Sequence, residues 1–285
     1  MESEENVLIH TDSGVLHIGI HRPKKKNALT RSMYLAMAKA LKDSVSDDSV
    51  KVVLIHGTRD AFSAGNDLND FNTRDFDQPS PASILLRELH HYPKPIVGAV
   101  SGVAIGIGVT MLLHFDLVYA SDTSFKMPFV DLGACPEGGS SLLIPLLAGH
   151  RKAAEVLMLG DAFNTQSAIN MGIVNQQVDK SEVLEFALSK AKALALKPQN
   201  ALRTTKRLLK APQQTLLGQI IEDELMIFSE LLQSEESQAA RKINKSVKNI
   251  MTSWANKIMP PFNNHLGFVV EEWREKHIKM SAELK

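Results

Sequence analysis

Apolar runs rich in β-branched residues alternate with polar loops over the first two thirds of the chain. Runs of this kind, bounded by polar or small residues, are typical of buried strands. They predict strands at Val7–His10, Val15–Ile20, Val50–Gly57, Ile96–Ile105 and Asp116–Ser121, and a brief strand within Ile173–Val178.

Apolar residues at helical spacing lie between these runs. Thr30 is a candidate N-cap for a helix with three apolar residues on one face, namely Met33, Met37 and Leu41. A second helix is predicted at Ile84–His91, because the prolines of the following "YPKP" disfavour helical backbone. The segment "VTMLLHF", residues 109–115, predicts a short buried helix.

Helical spacing dominates from Ser140 onward, so the order of elements predicts an α/β core followed by a C-terminal helical region. We place the core at residues 1–200 and the helical region at 201–285, with a boundary at "KPQN". One helix of that region carries an apolar stripe predicted to pack on the core or on a sister subunit: Ile220, Ile221, Leu225, Phe228, Leu231 and Leu232. We expect residues 245–285 to order a subunit contact.

Composition narrows the class of protein. Lys plus Arg and Asp plus Glu each number 32, so the chain lacks the positive excess of a dedicated nucleic-acid binder. Its single cysteine, Cys135, excludes an internal disulfide. No apolar run approaches the roughly 20 residues of a membrane-spanning helix. With an acidic N-terminus and no C-terminal "SKL", we expect a cytoplasmic protein without nucleic-acid or membrane partners.

Several common catalytic motifs are missing. There is no P-loop, the glycines of "GVAIGIG" do not have dinucleotide-binding spacing, and no histidine pair has the H-E-x-x-H spacing. "GGSSL" lacks the last glycine of a nucleophile elbow. We interpret His90 and His91 as surface residues. Cys135 is a weak candidate nucleophile, because no histidine is near it in sequence.

Two glycine-containing turns follow buried strands, at "AGND" (residues 64–67) and at "GIG" (residues 106–108). Two backbone N–H groups that converge on one point can bind a carbonyl oxygen as it becomes negative. Alternatively, the glycines only permit a strand and a helix to approach closely. The residues alone leave both interpretations open.

A third stretch, "FVDLGACPEGGSSLLIP", places Glu137 between a proline and two glycines in apolar surroundings. Burial would raise the pKa of this carboxyl group, which could then act as a base. The alternative is a carboxylate that stabilises the N-terminus of the following helix through the helix dipole.

In their order and spacing, "RPKKKNALT", "FSAGNDL", "KPIVGAVSGVAIGIGVTMLLHFDLVYAS" and "LGACPEGGSSLLIP" resemble the crotonase superfamily, the enoyl-CoA hydratases and isomerases. The resemblance runs from about Val7 to Leu209. It implies a spiral of ββα units followed by a helical region, assembly as a homotrimer or a dimer of trimers, and an acyl-CoA thioester as substrate.

The resemblance also implies roles for individual residues. The backbone N–H groups of Asn66 and Ile107 would bind the thioester oxygen, and Glu137 would be the catalytic residue. Contacts to the CoA or acyl part of the substrate are implied for Lys26, Ala28, Ala64, Asp67, Leu68, Gly106 and Phe129. No metal or other cofactor is implied.

Two departures from the family pattern bear on the reaction. Hydratases of the family activate water with two glutamates, and the matching positions here hold Thr110 and Phe129. Glu137 instead resembles the single glutamate of peroxisomal-type Δ3,Δ2-enoyl-CoA isomerases. We therefore expect an isomerase. Hydration with a differently held water, and a non-catalytic scaffold that binds CoA or a partner, are the alternatives.

Overall fold

The structure is a computed structural model that describes residues 6–67 and 78–243 of the chain. The chain divides into two compact units, Met1–Leu232 and Gln233–Lys285. In the second unit, residues 235–243 are helical. The predicted subunit contact at 245–285 and the predicted ligand residue Leu68 lie outside the described residues.

The first unit is built on a six-stranded sheet in the order β1-β2-β3-β4-β5-β6. β1 and β2 pair antiparallel, and the other neighbours are parallel. The strands are β1 Val7–Asp12, β2 Val15–Ile20, β3 Val52–His56, β4 Ile96–Ile105, β5 Leu117–Lys126 and β6 Gln176–Gln177. The predicted α/β architecture is therefore confirmed.

The first unit also contains helices of very different length. The α-helices are α1 Arg31–Val45, α2 Pro81–His91, α3 Ile107–Thr110, α4 Ser140–Ala148, α5 His150–Ala154, α6 Thr165–Asn170, α7 Val183–Ala195, α8 Gln199–Lys210 and α9 Gln214–Gln233. Short 3₁₀ segments occupy Pro23–Lys25, Met111–His114 and Val130–Leu132, and a π-helical turn occupies Glu155–Leu159. The predicted cap of α1 is confirmed, because Thr30 Oγ1 accepts from the Met33 amide at 3.4 Å.

Apolar side chains cover both faces of the sheet. On one face, α7 packs through Val183, Ala187 and Ala191 against β3, β4 and β5. On the other, the larger core includes α1 and α2, which pack against each other. Because both faces are covered, β3, most of β4 and the first half of β5 are predominantly apolar, as the sequence predicted.

Helix α8 lies in the first unit, and α9 lies in it up to Leu232; the predicted boundary at residue 200 stays a prediction. A buried ion pair holds α8 to the strands. Lys206 Nζ donates to Asp116 Oδ2 at 2.8 Å and to the Lys94 carbonyl at 2.7 Å. Asp116 Oδ2 also accepts from the Ile96 amide at 2.7 Å, so one carboxylate joins α8 to the start of β4.

The interpretation of His90 as a surface residue was wrong. His90 is buried on α2, and its ring lies 6.2 Å from that of His114, whereas His91 is exposed. Adjacent helix residues differ by about 100° in direction, so one of the pair faces the core. Across the described residues, no helix is long and apolar enough to cross a membrane.

Candidate active site

A buried asparagine holds the loop after β2 against the turn after β3. Asn27 is fully buried and has a left-handed backbone, with φ of 56°. Its side-chain amide donates to the carbonyl oxygens of Ala61 at 2.6 Å and Phe62 at 3.3 Å, and its Oδ1 accepts from the Arg22 amide. The side chain of Asn27 therefore joins the two segments in addition to their backbone hydrogen bonds.

Asp67 is held by a cation from the same loop. Arg22 donates to Asp67 Oδ2 at 2.6 Å and to the Ala28 carbonyl at 3.0 Å. The Arg22 cation compensates for the burial of the Asp67 carboxylate, so a role in loop structure accounts for Asp67. A contact between Asp67 and the substrate stays a prediction.

Asn66 lies in a short parallel bridge with Leu29. The bridge uses the Gly65 carbonyl and the Asp67 amide, each bonded to Leu29 at 2.8 and 2.9 Å. Because backbone groups alternate in direction along a strand, the Asn66 amide points away from Leu29. The Asn66 side chain is fixed separately, because Tyr34 Oη donates to its Oδ1 at 2.5 Å.

The second turn starts α3. Gly106 has φ of 56° and ψ of −120°, a conformation that glycine alone adopts readily, and Ile107 is the first helical residue. The amide of a first helical residue has no partner within its own helix. Within residues 6–67 and 78–243, the Asn66 and Ile107 amides donate to no backbone acceptor.

Glycines at positions 65 and 108 let the two turns approach each other closely. A Cβ at Gly108 would lie 2.8 Å from the Ser63 carbonyl oxygen, and one at Gly65 would lie 2.8 Å from that of Ile105. A Cβ at Gly106 would meet nothing within 4 Å, so there is open space beside this turn. The glycines thus permit close packing of the two turns, and convergence of the Asn66 and Ile107 amides on one point stays a prediction.

Glu137, in the loop before α4, contacts α3 one helical turn after Ile107. Thr110, three residues after Ile107, donates from Oγ1 to Glu137 Oε1. The carboxyl group is buried, with 6% of the residue exposed. The pKa of Glu137 is raised from 4.5 to about 8, mainly by burial; the Thr110 hydrogen bond lowers it, and the charge of Glu224 contributes to the rise.

The turn that carries Glu137 is held at four points. Ser140 Oγ donates to the Glu137 carbonyl at 2.7 Å, and His114 Nε2 donates to the Gly138 carbonyl at 2.8 Å. Glu224 accepts from the amides of Gly139 at 2.6 Å and Ser141 at 2.9 Å. Burial lowers the pKa of His114 to about 3, so this ring is a neutral donor.

The remaining predicted ligand residues fall into two groups. Lys26, Ala28 and Ala64 belong to the joined loops, where the Ala64 amide donates to the Lys26 carbonyl at 2.9 Å and the Lys26 side chain is exposed. Phe129 is buried, with its ring edge-on to that of Phe228. Substrate contacts by these residues stay predictions.

Cys135 does not have the properties of a nucleophile. Burial raises the pKa of its thiol to about 11, and its Sγ donates to the Glu224 carbonyl at 3.7 Å. The thiol is therefore protonated at neutral pH. Among the described residues, no three His, Cys, Asp or Glu side chains form a group that could hold a metal ion.

Sequence reasoning missed three residues of this site: Asn27, His114 and Glu224. The signal for Glu224 was present, because it lies three residues after Ile221 and four before Phe228, within the apolar stripe of α9. A carboxylate at a core-facing helix position needs a partner. His114 and Asn27 had no comparable signal, since short motifs do not reveal which carbonyl a side chain will meet.

Several known proteins are similar to this chain in sequence and in fold. The family model described as enoyl-CoA hydratase/isomerase matches residues 10–264. Enoyl-CoA delta isomerase 2 of Rattus norvegicus is 35% identical over 243 residues, which cover 82% of this chain and 62% of the relative. The chain thus spans less than two thirds of that relative's length. The 2,3-dehydroadipyl-CoA hydratase of Escherichia coli is 27% identical over 81% of this chain and 91% of its own.

Solved structures agree with the sequence comparisons. OdaA of Pseudomonas aeruginosa superposes with a TM-score of 0.81 at 42% identity, covering 84% of this chain and 98% of that one. The predicted crotonase fold and the predicted resemblance are therefore confirmed. The family model matches most of this chain, from residue 10 to residue 264. The chain therefore belongs to the enoyl-CoA hydratase/isomerase family.

Proposed function

We propose that the chain is a Δ3,Δ2-enoyl-CoA isomerase that acts on fatty acyl-CoA thioesters. The observation that carries this proposal is the pairing of one buried carboxyl group, Glu137, with the hydroxyl of Thr110. Isomerisation moves one proton within the substrate and needs one acid–base group. Similarity to proteins named enoyl-CoA delta isomerase supports the same reaction.

Glu137 acts twice in this mechanism. Its carboxylate removes a proton from C2 of a 3-enoyl thioester, and the electrons move into the thioester carbonyl to give a dienolate. The protonated Glu137 then returns the proton to C4, which leaves the double bond between C2 and C3. The raised pKa of Glu137, about 8, makes it a stronger base than an exposed carboxylate and reduces the barrier to proton removal.

The negative oxygen of the dienolate would be bound by the backbone amides of Asn66 and Ile107. Their lack of backbone acceptors within the described residues and the open space beside Gly106 support this role. One such donor is worth roughly 3 kcal/mol of transition-state stabilisation. The reaction transfers only a proton, so the proposal includes no metal and no redox cofactor.

Hydration is the second candidate reaction, because proteins named hydratases also match the chain. Hydratases of this family use two glutamates, and this chain has no acid at either matching position, Thr110 or Phe129. Glu224 does not replace them, because its two carboxylate oxygens each accept from a backbone amide. A catalytically silent scaffold is the third candidate, and the unusual burial of Glu137 argues against it.

The remaining features of the proposal follow the family resemblance. The exposed side chains of Lys24, Lys25 and Lys26 could meet the phosphates of CoA. Ala28, Ala64, Asp67 and Leu68 would flank the CoA, with Gly106 and Phe129 near the acyl part. We further propose a cytoplasmic homotrimer or dimer of trimers.

A 3-enoyl-CoA substrate tests the proposal directly. We expect the protein to form the conjugated 2-enoyl-CoA, monitored by the ultraviolet absorbance of the product. Glu137→Gln keeps the size of the side chain but removes its basicity, so turnover should fall at least about 10²-fold. Glu230→Gln, the same kind of change at an exposed position of α9, is the matched control. Normal turnover by Glu137→Gln would disprove the assignment.

A further inference from the structure

Glu224 is a carboxylate in the middle of an apolar helix face. It lies on α9, where the buried residues are Leu217, Ile221, Glu224, Phe228 and Leu232. Only 6% of Glu224 is exposed. A charge at such a position costs stability unless hydrogen bonds compensate for the lost water.

Backbone amides at the start of α4 supply those hydrogen bonds. Glu224 Oε2 accepts from Gly139 at 2.6 Å, and Oε1 accepts from Ser141 at 2.9 Å. Gly139 has φ of 76°, and a Cβ there would lie 2.4 Å from Leu217 Cδ1. The glycine thus lets α9 press directly on this turn, and Glu224 caps α4 from a distant part of the chain.

The capped turn is the one that presents Glu137. The Ser140 amide and its Oγ both bond to the Glu137 carbonyl, at 3.2 and 2.7 Å. Glu224 holds the amides on both sides of Ser140. A displacement of α9 would therefore move the backbone of Glu137 through a short chain of hydrogen bonds.

Glu224 also acts on Glu137 electrostatically. The groups that face Glu137 are Thr110 from α3, His114 from the following 3₁₀ segment, Cys135 from its own loop and Glu224 from α9. His114 is neutral and Cys135 is a protonated thiol. Burial raises the pKa of Glu224, while the amides of Ser141 and Gly139 favour its ionised form, so Glu224 is the second carboxyl group of this cluster. A like charge disfavours ionisation of Glu137 and raises its pKa.

We propose that Glu224 is a positioning residue, which fixes the turn that presents Glu137 and sets the basicity of Glu137 through its charge. The proposal rests on the proposed isomerase function for its kinetic tests. It gives α9 a part in the reaction, although Glu224 itself touches no substrate.

Two variants test the charge and the contacts of Glu224. Glu224→Gln keeps the length of the side chain and removes the charge, and its single acceptor oxygen keeps one of the two amide bonds, so the pH midpoint of kcat/KM should move to lower pH. Glu224→Asp keeps the charge but shortens the reach to the amides. It should lower kcat about 10-fold or more with little change in KM, because the base is misplaced.

The control is Glu230→Gln, which makes the same charge change on an exposed part of α9 and should leave both parameters unchanged. A pH midpoint that stays at its wild-type value in a folded Glu224→Gln variant would overturn the electrostatic half of the proposal. Wild-type kcat in Glu224→Asp would overturn the positioning half. If neither variant folds, Glu224 is a residue of fold stability and the proposal is wrong.

An activity-independent measurement separates this proposal from the proposed function. The titration of Glu137 can be followed by NMR of ¹³C-labelled glutamate carboxyls, with the signal assigned by its loss in Glu137→Gln. We expect this titration to move to lower pH in Glu224→Gln. Without isomerase activity in the wild-type protein, the proposed function fails, but the titration still tests the coupling of Glu224 to Glu137.

Discussion

Thr110 donates a hydrogen bond from its hydroxyl to the buried carboxyl group of Glu137. The family resemblance places one of the two hydratase glutamates at the position of Thr110, where this chain has a hydroxyl that supports Glu137. The hydroxyl stabilises the ionised form of Glu137 and partly offsets the effect of burial on its pKa. Thr110 thus takes the place of one water-activating carboxylate and supports the single base at Glu137.

Thr110→Val should therefore raise the pH midpoint of kcat/KM. Valine has nearly the same shape as threonine but donates no hydrogen bond, so the Glu137 carboxylate loses its partner. A hydrogen bond to a charged group is worth about 1.5–3 kcal/mol, which corresponds to a rise of about one pH unit or more. A pH–rate profile of the isomerisation measures this shift. Thr110→Ser keeps the hydroxyl and is the control; an identical shift in both variants would contradict the hydrogen-bond explanation.

Glu137 should also make the stability of the protein depend on pH. Its pKa is raised from 4.5 to about 8 in the folded protein, so the folded state binds the proton more tightly than the unfolded state. This contribution to stability is fully present below pH 4.5 and is lost as the pH rises through 8.

Glu137→Gln removes this contribution, so the free energy of unfolding should fall less between pH 6 and pH 9 than in the wild type. Over this pH interval, we expect the wild type to lose about 2–4 kcal/mol more of its free energy of unfolding than the variant loses. Urea unfolding at both pH values measures it. Parallel pH dependences for the two proteins would mean that Glu137 is not a buried, protonated carboxyl group.

The protein should be a poor hydratase. The positions that would complete a water-activating pair hold Thr110 and the buried ring of Phe129. Given a 2-enoyl-CoA, we expect the protein to form 3-hydroxyacyl-CoA at least about 10²-fold more slowly than it isomerises a 3-enoyl-CoA, the scale of losing one general acid–base group. Chromatography of the thioester products compares the two rates. Equal rates would favour the hydratase alternative.

The fold was predictable where burial leaves a clear pattern. β4 has the predicted bounds, because a strand covered on both faces is apolar throughout. β5 continues past the predicted end, Ser121, to Lys126. Its second half contains polar residues, and it pairs with β4 again after a register shift between Val100 and Gly102. This pairing depends on the neighbouring strand, which a local pattern does not contain.

The candidate site was predictable only as far as local motifs extend. Glu137 and the two glycine turns were identified because each lies in a short segment with distinctive residues. The partners of those segments were not: Glu224 reaches the Glu137 turn from 85 residues away, and Tyr34 reaches Asn66 across 32. Such contacts depend on how helices dock, and a helix pattern gives only the face that is buried.

Lys206→Met should destabilise the first unit. The Lys206 ammonium is buried, and its loss removes the cation bonded to Asp116, which keeps the Ile96 amide, and the side-chain donor of the Lys94 carbonyl. Because 23% of the Asp116 side chain is exposed and water can reach it, we expect a loss of about 2–3 kcal/mol, less than for a fully buried pair. Urea unfolding measures the change. Arg207→Met, at the exposed neighbouring position, is the control, and an equal loss in both variants would contradict a specific role for the ion pair.

Gly108→Ala should reduce the chemical step while the protein stays folded. The new Cβ would lie 2.8 Å from the Ser63 carbonyl oxygen, so the start of α3 must move away from the turn that contains Asn66. The Ile107 amide then points away from the developing negative oxygen. Removing one such donor costs about 10²–10³-fold in kcat, and a partial displacement should approach the lower value.

Asn66→Ala is the matched comparison for Gly108→Ala. It keeps the backbone N–H and removes only the side-chain bond to Tyr34, so most of the activity should remain. Tyr34→Phe removes the same bond from its other end and should behave alike. Steady-state kinetics on the three variants, with circular dichroism to verify folding, test the assignment. Full activity in Gly108→Ala together with an inactive Asn66→Ala would show that the side chain of Asn66, and not the backbone of these turns, carries the function.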